Sequence, residues 1–545
     1  MRNAREGSEE TLPGSIRSLV LARMDRLPPT EQQALQAASA IGQRFDLDML
    51  RYLLRAPTYT CEGLVRNALV RPDGEAYLFG HAFIQEGVYG SLLKARRVAL
   101  HREAAVWFED RDPVLRAQHL DRAEDAFAAQ AYFYAAQSQK SYYQHERALQ
   151  LAERGLAIAD NNHDRHALAC LRGDLLQDLG ATPRAIEAFQ QALTLAPDDA
   201  GRCRAWIGVA AGLQVSDELD NALEVLDKAQ EAGESQDMVA ELARLHYLRG
   251  NVYWPLGRSQ ECREEHELSL AYARRAGSIE AEARALGGLA DAAFLLGRMR
   301  TGFSHGIRCI ELARRHGFGR IEIANNPLVG CFQIYLNQLR EALERGNEAA
   351  VAAERAGNTR AWLGAEILSY WACSEMGEFD QGLAHIREAD RLAQRLGSRR
   401  FDALTREFEG RILHGQGHHC EAMTKLRGAL EIIRSAAVWR NPGPPRVIAA
   451  LAVVTADSTE RQRLLDEGEA IIRSGSGAHS QLYFYRDAME ATLAASDWAE
   501  ALRYAQALEE YTHEEPLPWS DLFIARAACS PLSASAKAAT RSVEL

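Results

Sequence analysis

Between residues 217 and 497 the chain reads as apolar-rich stretches interrupted at a fixed interval by residues that end helices. Leu256-Gly257, Leu296-Gly297, Met376-Gly377 and Gln416-Gly417 lie on a 40-residue lattice, and Gly277, Gly317, Gly357, Gly397 and Gly477 lie on the same lattice displaced by 20. Asn337, Asp457 and Asp497 fill the remaining turn positions, with Asp217 one period earlier. Glycine, asparagine and aspartate tolerate the left-handed backbone of a helix end or tight turn, so two such positions per period mark two helix ends. Each unit is therefore a helical hairpin whose helices keep roughly 16 residues, a length that suits a stacked solenoid.

Small residues recur inside each hairpin. The first small position reads Ala222, Cys262, Gly302, Ala342, Gly382 and Ala422, and the second reads Ala229, Ser269, Cys309, Ala349, Ala389 and Ala429. Such positions let the two helices approach closely. Gly173, Leu176, Gly180, Ala185, Phe189, Ala192 and Pro197 follow the tetratricopeptide pattern closely. Around Asp457 the small positions carry Gln462 and Glu469, which predicts a distortion there. Eight lattice turns, the unit at Gly180 and one near His145 give about ten hairpins. The fold class expected is all-α, a tetratricopeptide-like α-solenoid.

Before the array the pattern changes. "SIRSLVLARMDRLPPTEQQALQAASAIGQRFD" gives two helices broken at Pro28-Pro29, and "ALVRPDGEAYLFG" reads as strand, turn and strand about Asp73-Gly74. Helices around a small hairpin suggest a winged helix. The domains expected are a disordered stretch 1–14, a winged-helix-like domain 15–115, a repeat array 116–529 and a flexible tail 530–545 beginning at Ser530.

Charge narrows the partners. Lys and Arg number 63 against 75 Asp and Glu, a net charge of -12, which argues against broad grip on nucleic acid or anionic lipid. Residues 1–111 carry 15 basic and 14 acidic side chains, not the basic face of a DNA reader. The apolar run Val447 to Ala456 is about half of a membrane span. No apolar export segment opens the chain, and the nine cysteines are spread singly, so a cytoplasmic location without a disulfide framework is expected.

Ser15 to Pro28, Ala37 to Asp46, Tyr77 to Leu93 and the following "ARRVALHREAAVWFE" resemble the segment just after the ATPase core in bacterial signal-transduction ATPases of the STAND class. In that family the segment is a winged-helix-like domain leading into tetratricopeptide repeats, and many members carry an adenylate or guanylate cyclase domain at the front. The resemblance implies a nucleotide-sensing role for His81, as a contact to an ADP phosphate, although Gly80 stands where a basic residue often precedes that histidine. His81 can instead cap the helix that follows it or pack at its entrance. No Gly-Lys dipeptide occurs, so the phosphate-binding loop G-x-x-x-x-G-K-[ST] is missing. The sequence reads as the back half of such a protein, with no cofactor of its own and ATP or ADP only if an ATPase core is supplied.

Other chemistry is sparse. His414, His418, His419 and Cys420 are metal-capable, but the turn at Gly417 divides them between two helices, and no metal site is assigned. There is no G-x-S-x-G element and no catalytic residue is assigned. Tetratricopeptide geometry would put Arg244, Tyr247, Asn251 and Trp254, then Arg284, Asp291 and Phe294, then Trp371 and Arg411 on the concave side, as a groove for a protein or peptide partner. Trp254, Phe294 and Trp371 can instead fill gaps between hairpins. The reading is a non-catalytic regulatory or scaffolding protein. Its alternatives are the C-terminal part of an ATP-dependent signalling ATPase or cyclase, and the sensor arm of a transcription activator.

Overall fold

The structure, a computed structural model, describes residues 14–397, 399–436, 443–474 and 478–529. Gly477, most of the expected N-terminal stretch and the tail from 530 lie outside them. The described residues fall into two compact units that divide between Gly212 and Leu213.

The first unit opens with helices α1 (Gly14–Met24) and α2 (Pro29–Ile41), strand β1 (Arg44–Asp46), helices α3 (Leu47–Leu54) and α4 (Glu62–Arg66), and strands β2 (Val70–Asp73) and β3 (Ala76–Phe79). The strands form an antiparallel sheet in the order β1-β3-β2. Asp73 pairs with Ala76, so Gly74 and Glu75 make the turn, and Gly74 takes the left-handed φ of 66° that the turn requires. Leu35, Phe45, Leu50, Leu64 and Phe79 are sealed in the core beneath. Helices α5 (Ala82–Ser91), α6 (Lys94–Trp107) and α7 (Pro113–Arg122) follow. A buried polar chain ties them: Tyr89 Oη lies 2.8 Å from His101 Nε2, and His101 Nδ1 lies 2.8 Å from His119 Nδ1. Burial and the neighbouring charges hold His101 and His119 neutral, with pKa values pushed down to about 3 and about 4. Two helical hairpins complete the regular part, α8 (Ala128–Ser141) with α9 (His145–Ile158) and α10 (Asn162–Asp178) with α11 (Thr182–Leu195). Helix α12 (Asp199–Val215) comes next.

In the second unit the lattice is met residue by residue. Helices α13 (Leu219–Ser235), α14 (Val239–Tyr253), α15 (Ser259–Arg275), α16 (Ile279–Leu295), α17 (Met299–His316), α18 (Gly319–Tyr335), α19 (Leu339–Arg355), α20 (Thr359–Met376), α21 (Phe379–Leu396), α22 (Arg399–Gly415) and α23 (His419–Ala436) begin every 20 residues. Between them Asp217, Asp237, Gly257, Gly277, Gly297, Gly317, Asn337, Gly357, Gly377, Gly397 and Gly417 all have positive φ, from 47° to 87°. The twelve small positions named above are all buried.

Past α23 the lattice slips. Helix α24 (Pro444–Val454) is only 11 residues long. Asp457 and Asp497 do not make left-handed turns. Each is an N-cap, accepting a hydrogen bond from the amide of Glu460 or Glu500, for α25 (Ser458–Arg473) and α27 (Trp498–Thr512). Ser496, with φ of 60°, takes the turn before α27. Gln462 is exposed, and Leu464, Leu465 and Gly468 supply the buried face of α25. Helix α26 (Ala478–Ala494) and helical residues 518–529, here α28, complete the described chain.

One packing device repeats. Phe189 lies against both Gly173 and Gly208, where an added Cβ would come within 2.7 Å and 2.3 Å of its ring. His266, on α15, takes the same place between Gly250 and Gly288, at 2.6 Å and 2.3 Å. Both of its ring nitrogens are buried without a partner, and burial pushes its pKa down to about 3.

Two outcomes follow. Gly357 has φ of 66° and open space around it, so Gly357→Ala should cost only the left-handed conformational penalty, about 1–2 kcal/mol in denaturant unfolding. The buried histidines His101, His119, His266 and His479 are held neutral, so the unfolded chain binds more protons below about pH 6.5. Stability should fall there by up to about 1.4 kcal/mol per pH unit for each group, while Asp291, with its raised pKa, acts in the opposite sense between its folded value of about 7 and its ordinary value. His266→Phe should remove its share of the acid loss and stabilise the fold by about 1–3 kcal/mol at neutral pH; an unchanged acid limb would contradict this.

Candidate functional site: the concave stripe

The nine residues expected to form one stripe stand on α14, α16, α20 and α22 or directly after α14, and their surroundings divide them. At the later end α26 lies across the stripe. Phe294 stacks on His479 with ring centroids 4.0 Å apart, and Tyr335 Oη meets His479 Nε2 at 2.8 Å. Trp371 is buried against Tyr335 and Tyr483, its indole N–H donating to Glu375 at 3.3 Å. Trp519 of α28 is fully buried beside Tyr335, Tyr483 and Phe523.

Arg411 belongs to a buried ionic network. It pairs with Glu407 at 3.0 Å and Asp487 at 2.7 Å, Arg446 pairs with Glu407 at 2.8 Å, and Arg486 pairs with Asp487 at 2.8 Å and Glu375 at 3.0 Å. Burial pushes the Asp487 carboxyl up, and the Arg411 and Arg486 guanidiniums outweigh it and hold the group below the usual carboxylate range. The chain's own C-terminal helices thus cover Phe294, Trp371 and Arg411. Trp371 is buried and Phe294 and Arg411 are partly buried, and α26 supplies both the aromatic faces and the counter-charges that a partner would otherwise bring.

The other six residues lie on α14 and α16 or at their ends. Arg244 is exposed; Tyr247 is half-buried, its ring 5.6 Å from that of His266; Arg284 is exposed and paired with Glu280 at 2.7 Å. Asn251, Trp254 and Asp291 are partly buried. Trp254 packs with Tyr253, Cys262, Ala292 and Leu295, and its indole N–H has no acceptor. Burial pushes the Asp291 carboxyl up to about 7, with the charge of Arg360 drawing it back. Arg400, in the first turn of α22, reaches this region with its guanidinium 5.5 Å from the Trp254 ring. It precedes the concave positions of its own hairpin, so repeat geometry alone does not nominate it.

Two other expected features lie elsewhere. His81 is exposed at the N-cap of α5, where its Nδ1 accepts the Phe83 amide at 3.2 Å and its ring lies 4.7 Å from that of Phe83. In that arrangement Nδ1 carries no proton and Nε2 carries the N–H. Gly80 fits because an added Cβ would stand 3.1 Å from the Ala68 carbonyl oxygen. His414 and His419 meet across the Gly417 turn, Nδ1 to Nδ1 at 3.0 Å, while His418 faces Glu421 at 3.7 Å. Among the described residues no three His, Cys, Asp or Glu side chains are gathered to hold a metal, and no helix is long and apolar enough to cross a membrane.

No curated protein sequence matches the chain. A tetratricopeptide repeat is matched over residues 167–199. Among solved structures, the Signal Transduction ATPase with Numerous Domains protein with a tetratricopeptide repeat sensor from Pyrococcus horikoshii superposes with a TM-score of 0.56 at 16% identity, over 78% of this chain and 65% of that one. This chain is a tetratricopeptide-like solenoid. A Rap protein complexed with Competence and Sporulation Factor gives a TM-score of 0.48 at 12% identity, over 71% of this chain and 98% of that one. The first of these likenesses speaks for the fold, and it spans less than two thirds of the Pyrococcus protein's length.

The ionic network provides a test of the covered end. Asp487→Ala would leave two buried guanidiniums short of a counter-ion, and should cost about 3–5 kcal/mol in chemical unfolding. A loss below about 1 kcal/mol would mean that α26 does not lie against α22 as described.

Proposed function

We propose that this chain is a non-catalytic regulatory or scaffolding module of the cytoplasm, which takes a protein or peptide signal on the concave stripe of its solenoid. The observation that carries this reading is the uncovered part of the stripe. There Tyr247, Asn251, Trp254 and Asp291 are only partly buried, and none is consumed by the ion-pair network that closes the other end. Half-buried aromatic and polar side chains on a rigid helical face supply contact area at little entropic cost. Hairpins that bury their core only between neighbours leave such a face for partners.

A second reading has its own support: that the chain is the regulatory arm of a STAND-type ATPase or of a cyclase, with the nucleotide machinery upstream or on a partner. The Pyrococcus protein is described as a STAND protein with a repeat sensor. The order α2, β1, α3, α4, β2, β3, with its three-stranded antiparallel sheet, is the order of a winged helix and favours that assignment for the segment before the repeats. His81, exposed at a helix N-terminus with an outward N–H, has the chemistry to meet a phosphate oxygen of a nucleotide held elsewhere.

The experiment uses the full chain as bait. Tyr247→Ala combined with Asn251→Ala should abolish partner capture while the melting temperature stays within about 2 °C, since both side chains are partly exposed. A large drop in melting temperature would make the pair core, and undiminished capture would move the binding face elsewhere. The purified chain should show no ATP turnover.

A further inference from the structure

Among the described residues two pairs of histidines meet Nδ1 to Nδ1. His101 and His119 do so at 2.8 Å inside the first unit, where both rings are buried. There Tyr89 Oη lies 2.8 Å from His101 Nε2, and Phe108 stacks on His119 with ring centroids 5.5 Å apart. That pair belongs to the core and no solute reaches it. His414 and His419 make the same contact at 3.0 Å in the second unit, with His419 exposed and His414 half-buried. Among the described residues no further hydrogen bond holds either ring.

The repeat lattice builds the surface pair. Helix α22 ends at Gly415 and α23 begins at His419, and between them Gly417 takes a φ of 87° with open space around it. The Gly417 amide donates to the His414 carbonyl at 2.9 Å, and the His418 amide donates to the Leu413 carbonyl at 2.8 Å. A left-handed glycine with such bonds reverses the chain within a few residues. The reversal sets His414, the last side chain of one helix, beside His419, the first of the next, with ring centroids 4.9 Å apart. The turn that divides the histidines between two helices is therefore what brings two of them together. His418 faces Glu421 instead, at 3.7 Å.

We infer that His414 and His419 form a surface clamp for a divalent transition-metal ion, held by both Nδ1 atoms with water in its other positions. Metal–imidazole bonds of about 2.0–2.1 Å place two bound nitrogens about 2.9 Å apart at a right angle and about 3.3 Å apart at a tetrahedral one. The observed 3.0 Å lies inside that interval, so the backbone already sets the bite and only the rings need turn to aim both lone pairs at one ion. In the neutral pair one Nδ1 carries the proton of the contact and the other accepts it. Binding transfers that proton through solvent to Nε2 of the same ring, so both Nδ1 lone pairs become free and no proton is lost. Burial and the neighbouring His419 lower the pKa of His414, which keeps that ring unprotonated at neutral pH. Imidazole nitrogen suits copper(II), nickel(II) and zinc(II), and copper(II) is held most tightly by a given site. No third His, Cys, Asp or Glu is gathered at the pair among the described residues, so the clamp is open, unlike a four-ligand structural zinc site, and offers nothing to magnesium, which takes oxygen ligands. The clamp is independent of the concave stripe.

Copper(II), nickel(II), zinc(II) and, as control, magnesium(II) are titrated into the full chain by calorimetry. One ion per chain is expected in the micromolar range, copper(II) tightest and magnesium(II) silent. His414→Ala and His419→Ala should each weaken zinc(II) binding about tenfold or more, since either leaves a single imidazole. His418→Ala should leave it unchanged, and so should Cys420→Ser, which tests the exposed neighbouring thiol. Because His419 is exposed, His419→Ala should keep the melting temperature, which separates a lost ligand from a lost fold. In the zinc(II) complex NMR of the imidazole nitrogens should show both rings protonated at Nε2. The assignment is overturned if none of the three transition metals binds in that range, if His419→Ala binds as tightly as the native chain, or if Cys420→Ser abolishes binding and so makes the thiol the ligand.

Discussion

At two places helices in this chain stack with both backbones brought against one ring. Phe189 lies in a slot whose walls are the Cα atoms of Gly173 and Gly208, and His266 lies in the equivalent slot made by Gly250 and Gly288. A methyl group at any of the four would enter the ring's van der Waals envelope. The slot sets the distance between hairpins, and that distance determines where the stripe residues of α14 and α16 stand. His266 satisfies the shape of the slot and leaves two nitrogens unmatched. Packing geometry therefore outweighs hydrogen-bond satisfaction at this position.

The repeat was legible because left-handed backbone is chemically restrictive. Eleven turn residues from Asp217 to Gly417 are Gly, Asn or Asp, and all eleven adopt positive φ. The same signal failed at Asp457 and Asp497 for a physical reason: aspartate is also a favoured N-cap, and at both sites its carboxylate accepts a helix amide. Serine at 496, a poorer marker of the left-handed region, carries the turn there. The small positions were equally legible, since burying both helices of a hairpin at short range admits few side chains.

The stripe was legible in place and not in state. Repeat geometry nominated Phe294, Trp371 and Arg411 from their position on the first helices, but nothing local states that a segment 76 to 185 residues later lies over them. The pairs that show it, Arg486 with Glu375 and Tyr335 with His479, are 111 and 144 residues apart. A faint signal existed in Glu407, Arg411, Arg446, Arg486 and Asp487, charged residues on otherwise apolar helix faces, which need one another once buried. Repeat geometry does not nominate Arg400, which stands at a helix start outside the expected positions of its hairpin, and only the folded chain brings it over the Trp254 ring.

A column of hairpins that touch only their neighbours behaves as an elastic spring, lengthening and twisting by small increments at each interface. In the second unit that spring is strapped. Arg298 is tied to Glu514, Arg300 and Thr301 to Glu515, and the Tyr511 hydroxyl to the Leu296 carbonyl, across some 215 residues of sequence. The strap closes the end of α16 and the start of α17 onto residues 511–515, so drawing apart the coils between them would require breaking those contacts as well as the interfaces between neighbouring hairpins.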